Sequence, residues 1–219
     1  MGMNVYVNID GVLRNTLQKF DYHYKDYFLN TETETEETFE YGVSENIGFE
    51  NLMSSYKFQS EEEFIKFLYF DFPMEIFGHG GLTYNQAATD LNTLIFSNPN
   101  IKFTLVGLSE KGKAKPSTLF FLSRNGFICD NVKFSSYDEI NTLWKECDVW
   151  ITDDRRVVNS CPSNKRVIKF NTFYNNHFTN PSEINKLSEI KEEWLKSSEN
   201  IITSIWKVLQ NKAKQVLPS

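Results

Sequence analysis

The stretch "VYVNIDGVLRN", residues 5–15, decides how the rest of the chain is read. It opens on alternating and β-branched residues, the pattern of a buried strand, and residues 3–9 are expected to form one. It ends on Asp10-Gly11, delivering Asn8 and Asp10, two residues apart, to the strand exit. In an open parallel sheet ligands collect outside the carboxyl ends of the strands. Polar residues at those ends are therefore the first candidates for chemistry.

Four later segments read as strands: 101–107 "IKFTLVG", 131–135 "NVKFS", 148–152 "DVWIT" and 166–170 "RVIKF". Helical patterns lie between them. "YNQAATDLNTLIFS" gathers Ala87, Ala88, Leu91, Leu94 and Ile95 on one face. "KPSTLFFLSRNG" carries Pro116 in its first turn and stops at Gly126. Ser136 with Glu139 three residues on reads as a capping box before "INTLWKEC". Strands alternating with single helices mean βαβ units, hence a parallel sheet with right-handed crossovers.

Residues 15–82 interrupt this rhythm with far more chain than a connection needs. "NTLQKFDYHYKDYFL" and "SEEEFIKFLYFDF" read as helices, and the acidic run "NTETETEETFEYG" between them reads as a solvated hairpin or loop. The expected division is an α/β core of residues 1–14 and 83–219, with a helical module of residues 15–82 over the strand ends. In the tail, 182–215, Ile184, Leu187, Ile190 and Trp194 and then Ile201, Ile202, Ile205 and Leu209 predict two amphipathic helices, the second capped by Ser198.

The 219 residues suffice for one substantial core. A net charge of −6 offers no basic stripe to neutralise phosphates, so no nucleic-acid polymer is expected as partner. No apolar stretch approaches the ~20 residues that cross a bilayer, and no basic flank precedes an apolar run at the N-terminus, so neither membrane nor signal peptide is expected. Cys129, Cys147 and Cys161 have no metal-ligand spacing and read as free thiols of a cytoplasmic protein. His23, His79 and His177 are equally scattered.

The strand exits carry the chemistry. The first delivers Asn8 and Asp10, the second Ser109, the fourth Asp153 and Asp154; Lys111, Lys113 and Lys115 follow Ser109 and lead into the Pro116 helix. Carboxylates at two exits suit Mg²⁺, a hard ion that takes oxygen ligands. A hydroxyl, a lysine and free backbone N–H groups suit a phosphate.

These residues resemble the four motifs of the haloacid dehalogenase (HAD) superfamily of phosphohydrolases, closest to its 5'(3')-deoxyribonucleotidase-like members. The family's DxDG[TV]L stands here as "NIDGVL", residues 8–13. Its Ser or Thr after the second strand is matched by Ser109, its lysine before a helix by Lys115, with Lys113 next, and its acidic pair by "ITDDR", residues 151–155. The resemblance covers residues 3–13 and 83–177; residues 15–82 and the tail match in placement only. It implies a Rossmann-like core with strand order 5-4-1-2-3 and a helical cap inserted after the first strand. It further implies a phosphorylated small molecule, such as a nucleotide, as ligand and Mg²⁺ as cofactor. The metal would be held by the residues at positions 8, 10, 153 and 154, the phosphate by Ser109 and Lys115 or Lys113, and Asp10 would act as acid and base.

Asn8 departs from the pattern, for it stands where the resemblance places the nucleophilic Asp. A carboxamide is a poor nucleophile and brings no full charge to a cation. Losing a carboxylate beside a divalent ion weakens attraction by several kcal/mol, on the order given by Coulomb's law. The expectation is a nucleotidase-like scaffold that binds a phosphorylated small molecule and Mg²⁺ but is catalytically impaired. Two alternatives stay open: a protein-binding module on a degenerate scaffold, and an active Mg²⁺-dependent phosphatase. Asn8 itself has three explanations: natural loss, a substitution made to trap substrate, and altered catalysis by metal-activated water. Arg155 is read either as facing a substrate phosphate or as pairing with an acid.

Overall fold

A computed structural model of the protein describes residues 2–29, 52–108 and 110–196. Its centre is strand β1, Met3–Asn8, which pairs in parallel on both sides. A short β2, Arg14–Asn15, follows, and then helix α1, Thr16–Leu29. After α2, Leu52–Ser55, and α3, Glu61–Lys66, the chain runs through two π-helical turns, Phe67–Asp71 and Met74–Gly78. Strand β3, Gly81–Leu82, returns antiparallel to β2 with Arg14 opposite Leu82. The two ends of the inserted helices are thereby tied together next to the sheet.

The rest alternates as the sequence predicts. It runs α4 (Ala87–Ser97), β4 (Ile101–Gly107), α5 (Ala114–Arg124), β5 (Asn131–Phe134), α6 (Ile140–Glu146), β6 (Val149–Thr152), α7 (Arg155–Asn159) and β7 (Arg166–Phe170). A sixth strand, β8 (Glu183–Ile184), lies beyond β7. The sheet order is β5-β4-β1-β6-β7-β8, all parallel. The five expected strands thus stand in the expected order, with the acidic pair's strand directly beside β1. Ser136 and Glu139 form the capping box, in a 3₁₀ turn that leads into α6.

Side chains of β1 alternate between two cores, as strand geometry requires. Val5 and Val7 join Phe103, Leu105, Phe121, Val149, Ile151 and Ile168 on one face. Tyr6 joins Val106, Trp144, Trp150 and Val167 on the other. A third, aromatic core fills the inserted segment with Phe20, Tyr24, Tyr56, Phe67 and Phe77, and it takes in Tyr174 from the loop after β7.

The tail corrects the sequence reading. Ile184, Leu187, Ile190 and Trp194 do not share a helix: Ile184 is in β8, and Leu187–Glu189 and Glu192–Leu195 are 3₁₀ turns. Backbone pairing with Lys169 and Phe170 at the sheet edge competes with the helix period and prevails over it. The segment "SEEEFIKFLYFDF" is α-helical only at its start and turns π-helical from Phe67. The acidic run 30–42 and the second tail pattern from Ser198 onward lie outside the described residues. Among the described residues, no helix is long and apolar enough to cross a membrane. All three cysteines are free, Cys147 buried beside Trp150 and Tyr6.

Ile151 lies fully buried at the heart of the larger core, so Ile151→Ala is expected to lower unfolding free energy by about 2–5 kcal/mol. Phe96→Ala, at a 69% exposed position, is expected to change it by less than about 0.5 kcal/mol. Urea unfolding checks both, and equal losses would contradict this placement of the core.

Candidate functional site

Asn8 ends β1 on the face of Tyr6, and it is buried. Its Oδ1 accepts the indole N–H of Trp150 at 2.8 Å, and its Nδ2 donates to Thr152 Oγ1 at 2.8 Å. An indole nitrogen only donates, so this contact fixes which end of the amide faces which partner. Both polar atoms of Asn8 are thus committed to the neighbouring strand β6. The carboxamide here stitches two strands together at their exits, each bond worth about 1 kcal/mol.

Asp10 stands one turn further, where Gly11, at φ 75°, reverses the chain. A Cβ at Gly11 would meet the Asp153 carboxylate at 2.0–2.5 Å, so glycine serves both the turn and this close approach. The Asp153 carboxylate accepts the Tyr174 hydroxyl at 2.5 Å. Asn175 donates to the Asp153 backbone carbonyl at 3.1 Å. Burial pushes the Asp153 carboxyl up to about 7, against the pull of the Tyr174 hydrogen bond and with the negative charges of Asp154 and Asp10 adding to the rise. Burial, reinforced by the Asp153 charge, also holds the Tyr174 hydroxyl protonated well above its ordinary range.

Asp154 turns away from Asp153. It caps α7, accepting Arg156 N–H at 2.7 Å, and takes the Arg156 guanidinium at 2.9 and 3.2 Å. That guanidinium lies over the Tyr137 ring. Arg156, and not Arg155, is the arginine that pairs with the acid; Arg155 is exposed.

The residue that sequence reasoning missed is Arg14. It is completely buried, and every N–H of its guanidinium points at an oxygen. Nε donates to Asp10 Oδ1 at 3.0 Å and Thr16 Oγ1 at 2.9 Å. One terminal nitrogen donates to the Phe77 carbonyl at 2.9 Å and Thr118 Oγ1 at 2.8 Å, and the other to Asp10 Oδ1 at 2.7 Å and Glu110 Oε1 at 3.0 Å. The guanidinium also lies over the rings of Phe77 and Phe121. Glu110 is buried as well, with its carboxylate against Gly107, where a Cβ would approach to 2.3 Å. Removing one partner of such a buried pair costs about 3–5 kcal/mol, because a charge is left uncompensated. Two signals were available in the sequence: a cation directly after "DGVL", and an acid directly after Ser109.

Ser109 lies outside the described residues. Lys113 and Lys115 are exposed at the start of α5, with the Lys115 ammonium 5.8 Å from the Phe134 ring centre. Neither lysine is brought into an ion pair with Asp10, Asp153 or Asp154 among the described residues.

Among the described residues, most of the oxygens assigned to a divalent cation are already engaged. Asn8 is turned to Trp150 and Thr152, Asp154 to Arg156, and Asp10 Oδ1 to Arg14 and Thr16, while Asp10 Oδ2 is buried with no hydrogen-bond partner. Among the described residues no three acidic, His or Cys side chains come together as a metal-holding group. Beside the carboxylates a cavity of about 200 Å³ opens between the exits of β1 and β7 and the β2–β3 ribbon. Asn15, Thr83, Asn171, Thr172 and Asn185 give it polar, uncharged walls, and Tyr84, Phe170 and Phe173 give it aromatic ones. Thr83 Oγ1, Asn171 Oδ1 and Thr172 Oγ1 are buried there without hydrogen-bond partners.

No family model matches the chain, and no curated protein matches it. Solved structures do. CbbY from Rhodobacter sphaeroides, in complex with phosphate, is similar at a TM-score of 0.55 with 14% identity, over 86% of this chain and 96% of that one. An Asp-to-Asn mutant of the same protein in complex with xylulose-(1,5)bisphosphate is similar at 0.53, with 13% identity over 90% and 100%. A haloacid dehalogenase-like family hydrolase from Streptococcus pneumoniae is similar at 0.53, with 11% identity over 85% and 95%. The parallel six-stranded sheet flanked by helices is therefore the fold of HAD-superfamily hydrolases.

The raised carboxyl of Asp153 gives a pH signature. The folded state holds this proton more tightly than the unfolded chain, whose value is the ordinary 3.8. Its contribution to stability is therefore full below about pH 4 and is lost as pH rises toward 7. Asp153→Asn is expected to flatten the fall in unfolding free energy between pH 4 and 7, followed by urea titration at each pH. Parallel curves for the two proteins would contradict the buried, protonated Asp153.

Proposed function

We propose that this chain is a phosphohydrolase-type scaffold that binds a phosphorylated small molecule at the exits of β1 and β6 and does not turn it over. The observation that carries this reading is Asn8, whose two polar atoms are both held by β6. An amide fixed in this way has no carboxylate to attack phosphorus, so the covalent step has no nucleophile. Asp10, at the acid–base position of the resemblance, is engaged by Arg14 and Thr16 instead of facing a leaving group.

The phosphate is assigned to Ser109 and the start of α5, with Lys113 and Lys115 supplying positive charge. The body of the ligand is assigned to the cavity beside Gly11, whose hydroxyl and amide groups suit a hydroxylated, uncharged body such as a sugar. Neighbours of the same fold hold phosphate and a sugar bisphosphate, the latter in an Asp-to-Asn mutant. The nucleotide remains the narrower form of this reading. Residues 15–82 act as the cap, closing over the strand exits from the β2–β3 ribbon.

A second reading, a protein-binding module, draws on one surface. Met74 and Phe120 are exposed, and both come against Gly78 where the inserted segment meets α5.

Purified wild-type protein is expected to release no phosphate from sugar phosphates, nucleoside monophosphates or an aryl phosphate. Inorganic phosphate or a sugar phosphate is expected to raise its unfolding temperature, as a ligand of the folded state must. Phosphate release that Asp10→Asn abolishes would overturn the reading. If no phosphorylated compound shifts the unfolding temperature, the protein-binding reading takes its place.

A further inference from the structure

We infer that the Arg14 guanidinium is the resident cation of this site, standing in the electrostatic role of a divalent metal, so that the folded chain takes up no divalent cation among Asp10, Asp153 and Asp154. This inference rests on the reading that the exits of β1 and β6 form the ligand site, and it deepens that reading.

Charge and valence both count against a metal here. A divalent ion needs several oxygen ligands with at least one or two carboxylates directed at it. Asp10 is the one acid of the first motif, and its Oδ1 takes two guanidinium nitrogens and the Thr16 hydroxyl. Glu110, which the exit of β4 brings toward the same point, is bound to the same guanidinium at 3.0 Å, and both side chains of that pair are fully buried. One guanidinium is thus shared by two carboxylates, its pair with Glu110 fully buried and Asp10 partly exposed. A metal arriving there would be repelled by Arg14 at close range, and the repulsion is strong where solvent screening is weak.

The guanidinium cannot simply swing aside. Its remaining donors are fixed by the Phe77 carbonyl and the Thr118 hydroxyl, and its aliphatic stem packs against Gly80, where a Cβ would come within 2.8 Å. Phe77 and Gly80 belong to the end of the inserted segment, and Thr118 to α5. Displacing Arg14 therefore means breaking the contact between that segment and the core as well. Asn8, a neutral amide, and Arg14, a fixed cation, point the same way, since each lowers the site's affinity for a cation.

The test measures metal separately from ligand. The full-length protein is titrated with Mn²⁺, with the free ion followed by electron paramagnetic resonance, and in parallel with inorganic phosphate by calorimetry with and without EDTA. Wild type is expected to leave Mn²⁺ free, and Asn8→Asp likewise, because Arg14 still holds Asp10. Arg14→Met, of similar length but uncharged, is expected to bind Mn²⁺ at least roughly tenfold more tightly than wild type, since a close positive charge has been removed. Its unfolding temperature should rise with Mn²⁺. If Arg14→Met does not fold, wild type and Asn8→Asp decide the matter. Binding of Mn²⁺ by wild type that Asp10→Asn abolishes would overturn the inference, as would a folded Arg14→Met with no gain. Phosphate binding that fails in all proteins would remove the ligand reading while leaving the metal result to stand on its own.

Discussion

A buried cation must be compensated on every side, and Arg14 meets this requirement with six hydrogen bonds drawn from four parts of the chain. Asp10 and Thr16 come from the exit of β1 and the start of α1, Phe77 from the end of the inserted segment, Glu110 from the loop after β4, and Thr118 from α5. Satisfying one guanidinium fixes where each of these lies. The placement of the inserted helices on the sheet, the close approach of Glu110 to Gly107 and the commitment of Asp10 all follow from it. A buried pair of this kind is a weak source of net stability but a strong constraint on arrangement, because the alternatives leave a charge unpaired.

Asn8 meets a similar demand by gentler means. A buried amide needs partners for both ends, and Trp150 and Thr152 supply them from the adjacent strand. The parallel register that sets Tyr6 opposite Trp150 carries Asn8 to the level of Thr152. These hydrogen bonds leave both polar atoms of Asn8 engaged within the fold. At the next strand exit, Asp153 is neutralised in part by burial, and Asp154 by Arg156. Across the strand exits, acids that could have met in solvent are each matched to a partner within the fold.

Much of the architecture was legible because it is written in local periodicity. The period-two runs of 3–9, 101–107 and 166–170 and the helical stripe through Ala87, Leu91 and Leu94 need only their own neighbours to be read. The capping box at Ser136 and Glu139 is likewise a four-residue signal. The misses have a common cause. Ile184, Leu187, Ile190 and Trp194 carry a helical period, yet the edge of β7 offers Ile184 backbone partners that the period cannot announce. Arg14 finds its partners at separations of 63, 96 and 104 residues, and Asn8 finds Trp150 at 142. Which polar groups pair at that range is decided by the finished fold. The polar residues at the strand exits were therefore visible in the chain, while the partners they take were not.

The central claim is that the strand-exit site is closed by its own guanidinium, and the Arg14 Nε–H proton reports on it most directly. In a ¹⁵N-labelled sample, assigned through loss of its signal in Arg14→Lys, that proton is expected to exchange slowly with water at neutral pH. Its resonance is expected to stay unmoved when Mg²⁺ is added. Rapid exchange, or a resonance that shifts as Mg²⁺ is titrated in, would mean that the cation of this site comes from solution and that the account is wrong.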